Sequence, residues 1–210
     1  MDTTANTALK TPNFKLFHVG GTRSERVRWM LRELQIEHDL ISEPATSRLT
    51  ELKAAHPLNK VPAITVPEGS LFESLAICNW LADSHPDRKL GWRAGTWERA
   101  LHDQWTAFTL AELEANLWHT ARNKFLYPEH LKVPQVYDQN ARESRRALAV
   151  FEEHLRDREW LVGSRFSVTD IFSGLAICWA SWDGLTAEFD AVNRYITRLQ
   201  ALPNCPYRKA

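Results

Sequence analysis

Residues 14–40, FKLFHVGGTRSERVRWMLRELQIEHDL, decide the fold. Phe14 to Val19 is a short apolar run with two phenylalanines, ended by Gly20-Gly21, the pattern of a buried strand running into a turn. Val27, Met30, Leu31 and Leu34 then recur at i, i+3, i+4 and i+7. That spacing predicts a helix offering one apolar stripe to a sheet, with Arg28, Arg32 and Glu33 facing elsewhere. Thr22-Arg-Ser-Glu25 has the form of a capping box, which places the Thr22 hydroxyl to accept a backbone N–H and Glu25 to reach back. Ile36, His38 and Leu40 alternate as a second strand, completing a βαβ-like opening.

Working outward, a weak helix is expected around Arg48 to Ala55. His56-Pro-Leu-Asn-Lys-Val-Pro62 holds two prolines, which forbid a central helix and push the residues before them toward extended geometry. A shaped loop follows from this. Ala63 to Val66, the turn candidate Pro67-Glu-Gly-Ser70 and Leu71-Phe72 read as a hairpin, with Gly69 supplying a positive φ. Glu73-Ser74 opens a helix to about Ser84, and His85-Pro86 ends it.

Beyond Asp87 to Gly95 the signals are helical. Trp97, Leu101, Trp105, Phe108 and Leu113 line one long amphipathic helix, and Val136, Leu148, Phe151 and Leu155 mark a second after Pro134. Ser167-Val-Thr-Asp170 starts a third through Trp182, and Phe189, Val192, Ile196 and Leu199 supply a fourth. The expected organisation is a flexible tail over residues 1–13, an α/β domain over 14–85, a linker over 86–95 and an all-α domain over 96–210.

Composition narrows the function. The 210 residues carry 26 Lys plus Arg against 26 Asp plus Glu, a formal net charge of zero, so nothing draws the protein broadly to nucleic acid or an anionic membrane. The most apolar stretch, Ile171 to Trp182, is too short for a membrane span of roughly 20 residues. The opening MDTTANTALKTPN lacks an apolar core and reads as a solvated tail, not a signal peptide, so a cytoplasmic protein is expected. Cys78, Cys178 and Cys205 are scattered and odd in number, which argues against disulfides and a cysteine-based metal site. Nine tryptophans ask for many large apolar contacts, and Trp97, Trp105 and Trp182 fall on the predicted core stripes.

Four segments in this order, Thr22-Arg-Ser-Glu-Arg-Val-Arg-Trp29, Asn59-Lys-Val-Pro-Ala-Ile64, Phe72-Glu-Ser74 and Phe166-Ser-Val-Thr-Asp170, resemble the soluble glutathione S-transferase family over residues 14 to about 206. The resemblance implies a thioredoxin-like α/β N-terminal domain that binds glutathione and an all-α C-terminal domain that lines the pocket for a second substrate. It implies a homodimer that activates the glutathione thiol as thiolate and adds it to a small hydrophobic electrophile, with no metal. Glutathione-dependent isomerisation or peroxide reduction, and a non-catalytic glutathione-binding scaffold, are the alternatives on the same fold.

The family's motifs carry over residue by residue. Val61-Pro62 would be a cis peptide whose Val61 backbone pairs with the cysteinyl part of glutathione, in the manner of an added strand. Glu73 and Ser74 match the pair that receives the γ-glutamyl end, Ser74 binding its carboxylate at a helix N-terminus and Glu73 its ammonium. The competing reading is that Ser74 only caps the helix and Glu73 completes a box with Ser70. Lys60 stands either near the peptide backbone of glutathione or in solvent. His56 either neighbours the glycine carboxylate or is structural.

The loop after the first strand carries the activating group in this family. It offers His18, Thr22 and Ser24 here, and neither tyrosine nor cysteine. Thr22 aligns with the first serine of the family's Ser-Arg-Ser pattern, Ser24 with the second, and Gly21 occupies the position that several serine and cysteine classes use. Arg23 either adds positive potential near the thiolate or is solvated. Asp170 matches a buried N-cap of the helical domain and is read as a stability residue. Asn116, Trp118, His119 and Trp179 are the candidates for the second-substrate pocket, with core packing as the other reading of the aromatics.

Overall fold

The structure is a computed structural model that describes residues 9–42 and 49–207, with side chains from Phe14 onward. It divides between Lys89 and Leu90 into two compact units.

In the first unit, β1 (Leu9–His18), α1 (Ser24–Leu34) and β2 (Ile36–Ser42) form the βαβ opening, with the strands parallel. α2 spans Leu49–Ala55, β3 (Ala63–Val66) and β4 (Gly69–Phe72) form an antiparallel hairpin, and α3 spans Ser74–Ser84. The sheet order is β2-β1-β3-β4, with β3 antiparallel to β1. Val27, Met30, Leu31 and Leu34 are all fully buried, as the stripe requires. Phe17 and Ala63 pack with Leu52 and Ala55 of α2. Strand alternation sends Leu16, also fully buried, to the opposite face, so the sheet is covered on both sides. Gly69 takes φ 143°, the positive value expected for the hairpin.

Two expectations for this unit are corrected. β1 begins at Leu9 and not at Phe14, so residues 9–13 belong to the sheet and not to a solvated tail. Leu9 and Lys10 pair with Ile36 and Glu37, and the register shifts before pairing resumes at Lys15. Pro12, which has no N–H to give a ladder, lies inside that irregularity and hides the strand from an alternation pattern. Residues 1–8 of the expected tail, and Arg48 of the expected weak helix, lie outside the described residues. The capping box at Thr22 does not form either: Arg23 is the N-cap of α1 and no side chain caps it. Glu25 turns instead toward His18 and Arg28.

The second unit is helical. The predicted first helix appears as α4 (Trp97–Phe108), a π-helical stretch Thr109–Glu114, α5 (Ala115–Ala121) and a second π-helical stretch Arg122–Leu126. Where the first π stretch begins, the buried Thr109 hydroxyl lies 2.7 Å from the Trp105 carbonyl and 2.8 Å from Ser173 Oγ, a side-chain bond that competes with the helical ladder. α6 (Val136–Leu155), α7 (Val168–Trp182) and α8 (Asp190–Ala201) follow. Trp105 is buried against Phe151, with ring centroids 5.2 Å apart. Trp97 and Trp182, placed on core stripes by their spacing, are instead 73% and 55% exposed. They stand at the first residue of α4 and the last of α7, and the Tyr207 ring, 5.4 Å from that of Trp182, covers the latter only in part. Among the described residues no helix is long and apolar enough to cross a membrane.

Asp170 organises this unit. The capping box forms with Ser167 as N-cap and Asp170 three residues in, so Asp170 reaches back to the cap and is not itself the cap. Its fully buried carboxylate accepts from the N–H of Ser167 (2.9 Å) and of Leu161 (3.0 Å), and from the hydroxyls of Ser167 (3.1 Å) and Tyr195 (2.9 Å). Burial outweighs these four bonds and pushes its pKa up to about 6.

Asp170→Ala leaves those donors orphaned and is expected to cost about 3 kcal/mol or more, read from urea unfolding. The folded pKa of about 6 lies above the ordinary 3.8, so stability from proton uptake at this site is complete below 3.8 and lost as pH rises through 6. The stability advantage of the wild type over Asp170→Asn should therefore widen as pH falls from 7 to 5.

Candidate functional site

Strand register assembles the site within the first unit. Phe17 pairs with Ala63, and Ala63 pairs with Phe72. Because β3 runs opposite to both neighbours, the segment after Phe17, the loop before Ala63 and the segment after Phe72 all leave the sheet at one end. Adjacent strands stand about 4.8 Å apart, so His18–Ser24, Asn59–Pro62 and Glu73–Ser74 are neighbours there although far apart in sequence.

The first segment ends in a cluster of hydroxyls. Gly20-Gly21 turns the chain, Gly21 at φ 70°, and delivers Thr22 and Ser24 to the N-terminus of α1. Ser24 is completely buried. Its Oγ lies 2.8 Å from His18 Nδ1, 2.8 Å from Thr22 Oγ1 and 2.9 Å from the Val19 carbonyl, and it accepts from the Val19 N–H at 3.2 Å. With four polar neighbours and no exposure, Ser24 has no capacity left for a ligand. Thr22 is half-buried, and its hydroxyl lies 2.7 Å from the Val19 carbonyl. Of the two predicted hydroxyls, only Thr22 reaches toward solvent. Arg23, beside it, is half-buried.

The second segment carries the cis Val61-Pro62 peptide, with Val61 half-buried, Pro62 buried and Lys60 exposed. Asn59 takes φ 53°, a left-handed conformation that asparagine tolerates. His56 is buried: its Nδ1 accepts from the Leu58 N–H at 3.0 Å and its ring lies 4.8 Å from that of Phe72. Burial lowers its pKa against the opposing pull of Glu73. This side chain shapes the loop.

The third segment departs from the reading of Ser74 as a cap. Glu73 is the N-cap of α3, at φ 71°, ψ 114°, and no side chain caps the helix. A non-glycine residue at positive φ is costly, about 1–3 kcal/mol, and Glu73 is exposed while held in that state. Ser74 is the first helical residue, buried, and its Oγ accepts from Arg26 Nη1 at 3.3 Å. Arg26 is itself fully buried. Its sequence signal was its place four residues before Met30, on the edge of the buried stripe of α1.

In the helical unit, Asn116 and Trp118 are half-buried and His119 is exposed on α5, while Trp179 is half-buried on α7. Asn116 Nδ2 donates to the Glu112 carbonyl at 2.8 Å, and the Arg122 guanidinium stands 5.7 Å from the centre of the Trp118 ring. The His119 side chain points to solvent, and its carbonyl accepts from Asn123 at 2.9 Å.

The first unit thus has a thioredoxin-like sheet with a cis-proline loop and a helix N-terminus at one end, and the second unit is all-α. Comparison with known proteins places this arrangement in a family. The family model for the glutathione S-transferase N-terminal domain matches residues 16–89, and the C-terminal domain model matches residues 115–203. The glutathione S-transferase GstA of Escherichia coli O157:H7 is 28% identical over 172 residues, which cover 79% of this chain and 82% of that one. Elongation factor 1-gamma 2 of Oryza sativa subsp. japonica is 28% identical over 168 residues, 76% of this chain, and the match spans only 38% of that longer protein. The solved structure of glutathione transferase URE2P6 from Phanerochaete chrysosporium in complex with oxidized glutathione aligns at a TM-score of 0.79 and 25% identity, over 92% of this chain and 93% of that one. The chain belongs to the glutathione S-transferase family.

None of its own thiols stands ready for reaction. Cys78, Cys178 and Cys205 are buried and form no disulfide, and burial pushes Cys78 and Cys178 up to about 12. Under native conditions at pH 8 a disulfide reagent such as dithionitrobenzoate should label none of the three within minutes, and all three after denaturation.

Proposed function

We propose that this chain is a glutathione transferase that holds glutathione at the end of the sheet and stabilises its thiolate with the Thr22 hydroxyl. The observation that carries this reading is the contrast between the two hydroxyls: Ser24 is enclosed by four polar partners, and Thr22 alone is left facing outward at the N-terminus of α1.

A thiol of ordinary pKa, about 8.5, is only a few per cent ionised at pH 7. Lowering that value by about 2 units takes about 2.7 kcal/mol of preference for the anion. One hydrogen bond to a charged sulfur, worth about 1.5–3 kcal/mol, together with the positive end of α1 is of that order. The uncapped N-terminus of α3 suits the γ-glutamyl carboxylate through the Ser74 N–H and hydroxyl, and exposed Glu73 suits the ammonium. The Val61 backbone is assigned to the cysteinyl part and Lys60 to the peptide backbone of the tripeptide. Half-buried Trp118 and Trp179, with Asn116 and His119, are assigned to a small hydrophobic electrophile, and the active form to a homodimer. Glutathione-dependent isomerisation or peroxide reduction would use the same sulfur, and a substrate screen separates them.

A second reading, a glutathione-binding scaffold without catalysis, is favoured by the similarity to proteins named for translation elongation. Calorimetry with glutathione and assays with chloronitroaromatics and other electrophiles divide the two. Binding without thiol addition to any of them would overturn the transferase reading.

In the transferase, Thr22→Ala should lower kcat/KM about 100-fold while changing glutathione affinity less than about threefold, and Thr22→Ser should retain activity. Glu73→Gln should weaken glutathione binding about tenfold with a smaller effect on kcat, as loss of one charge-assisted contact predicts.

A further inference from the structure

Behind Thr22 runs a chain of polar groups that a simple anion-binding hydroxyl does not require. Thr22 Oγ1 lies 2.8 Å from Ser24 Oγ, Ser24 Oγ lies 2.8 Å from His18 Nδ1, and His18 Nε2 lies 3.6 Å from Glu25 Oε1. His18 and Ser24 are buried and Glu25 nearly so, at 7% exposed. The second carboxylate oxygen of Glu25, buried and without a hydrogen-bond partner, lies 3.8 Å from Arg28 Nη1, so Arg28 holds the carboxylate while Oε1 faces the imidazole. Only Thr22, at the outer end, has access to solvent.

From this geometry we infer that His18 is the acceptor of the glutathione thiol proton, which reaches it through Thr22 and Ser24, with Glu25 holding the imidazole. The inference rests on the proposed placement of glutathione against Thr22. Hydrogen counting shows how the chain works. Glu25 beside Nε2 favours the tautomer with its proton there, leaving Nδ1 to accept from Ser24. Ser24 Oγ then accepts from Thr22, and Thr22 presents a lone pair outward to S–H. In the transfer, the S–H bond breaks and an O–H forms at Thr22. Thr22 gives its own proton to Ser24, Ser24 gives its own to His18, and an N–H forms at Nδ1. Each hydroxyl ends with one proton, now pointing outward, so Thr22 donates to the thiolate and the imidazolium faces Glu25. The Val19 carbonyl, 2.7 Å from Thr22 and 2.9 Å from Ser24, is the resting acceptor from which the hydroxyls turn.

The charges around His18 fit an acceptor that is neutral before glutathione binds. Burial is the largest influence and lowers its pKa, Glu25 raises it, and Arg28 and Arg32 of α1 and His38 of β2 lower it. A neutral resting imidazole leaves Nδ1 free to take a proton, and the Glu25 carboxylate offsets part of the cost of the imidazolium that forms.

The test uses the full chain. Ring-nitrogen NMR of wild-type protein at pH 7 should show His18 neutral alone, protonated with glutathione, and neutral with S-methylglutathione, which fills the same site without a thiol proton. The ultraviolet absorbance of the bound thiolate should titrate about one pH unit higher in His18→Asn, whose amide still bonds Ser24 but cannot take the proton, and kcat/KM at pH 6.5 should fall about tenfold. Glutathione affinity should stay within about threefold, which a merely structural role for His18 would not preserve. Glu25→Gln should shift the titration in the same direction. A bound thiolate that forms while wild-type His18 stays neutral, or titrates identically in His18→Asn, overturns the relay and leaves the transferase reading intact. Absence of glutathione binding to wild type overturns both. If His18→Asn does not fold, the wild-type NMR decides alone.

Discussion

Backbone pairing of Phe17 with Ala63, and of Ala63 with Phe72, is the constraint on which the candidate site depends. Side chains alternate along a strand, so a slip of one residue would turn Phe17 away from Leu52 and Ala55 and bring Leu16 into their place. Burial on both faces holds the register against such a slip. The same register then brings the hydroxyl turn, the cis-proline loop and the Glu73-Ser74 step to one end of the sheet. Apolar packing thus decides where polar chemistry can occur.

Each unit buries one polar hub and satisfies it almost completely. In the helical unit it is Asp170, with four donors; at the end of β1 it is Ser24, with four partners. An unpartnered buried polar group costs about 1–3 kcal/mol, so such hubs persist only where the surrounding backbone is fixed. Their outcomes differ. The Asp170 network closes on itself and anchors α7 to Leu161 and α8. The Ser24 network is open at Thr22 and leads from a buried imidazole to the surface.

Much of the fold was legible because its signals are local. The stripe Val27, Met30, Leu31, Leu34 predicted α1, the two prolines predicted the loop before β3, and Ser167 to Asp170 predicted the start of α7. The failures share a cause, a tertiary partner that competes with the local rule. Glu25 has the spacing to close a capping box but turns to His18 and Arg28. Thr109 sits on an uninterrupted helical pattern, yet its hydroxyl engages Trp105 and Ser173 where the helix loosens. Trp97 and Trp182 keep the period of a core residue but stand at helix ends and stay largely exposed, even with the Tyr207 ring 5.4 Å from that of Trp182. Residues 9–13 lack alternation and become strand through pairing with β2.

The candidate site divides along the same line. From its sequence alone the chain specified an α/β half followed by a helical half and the positions of its turns, because periodicity and proline chemistry act over a few neighbouring residues, while Val61, Pro62, Glu73 and Ser74 were singled out only through their resemblance to a family motif. Only the tertiary structure decided that Ser24 is sealed and Thr22 open, that Arg26 reaches Ser74, and that His18 and Glu25 stand behind the hydroxyls. Hydrogen-bond capacity and burial are properties of what surrounds a side chain, and those surroundings come from strands and helices far apart in sequence.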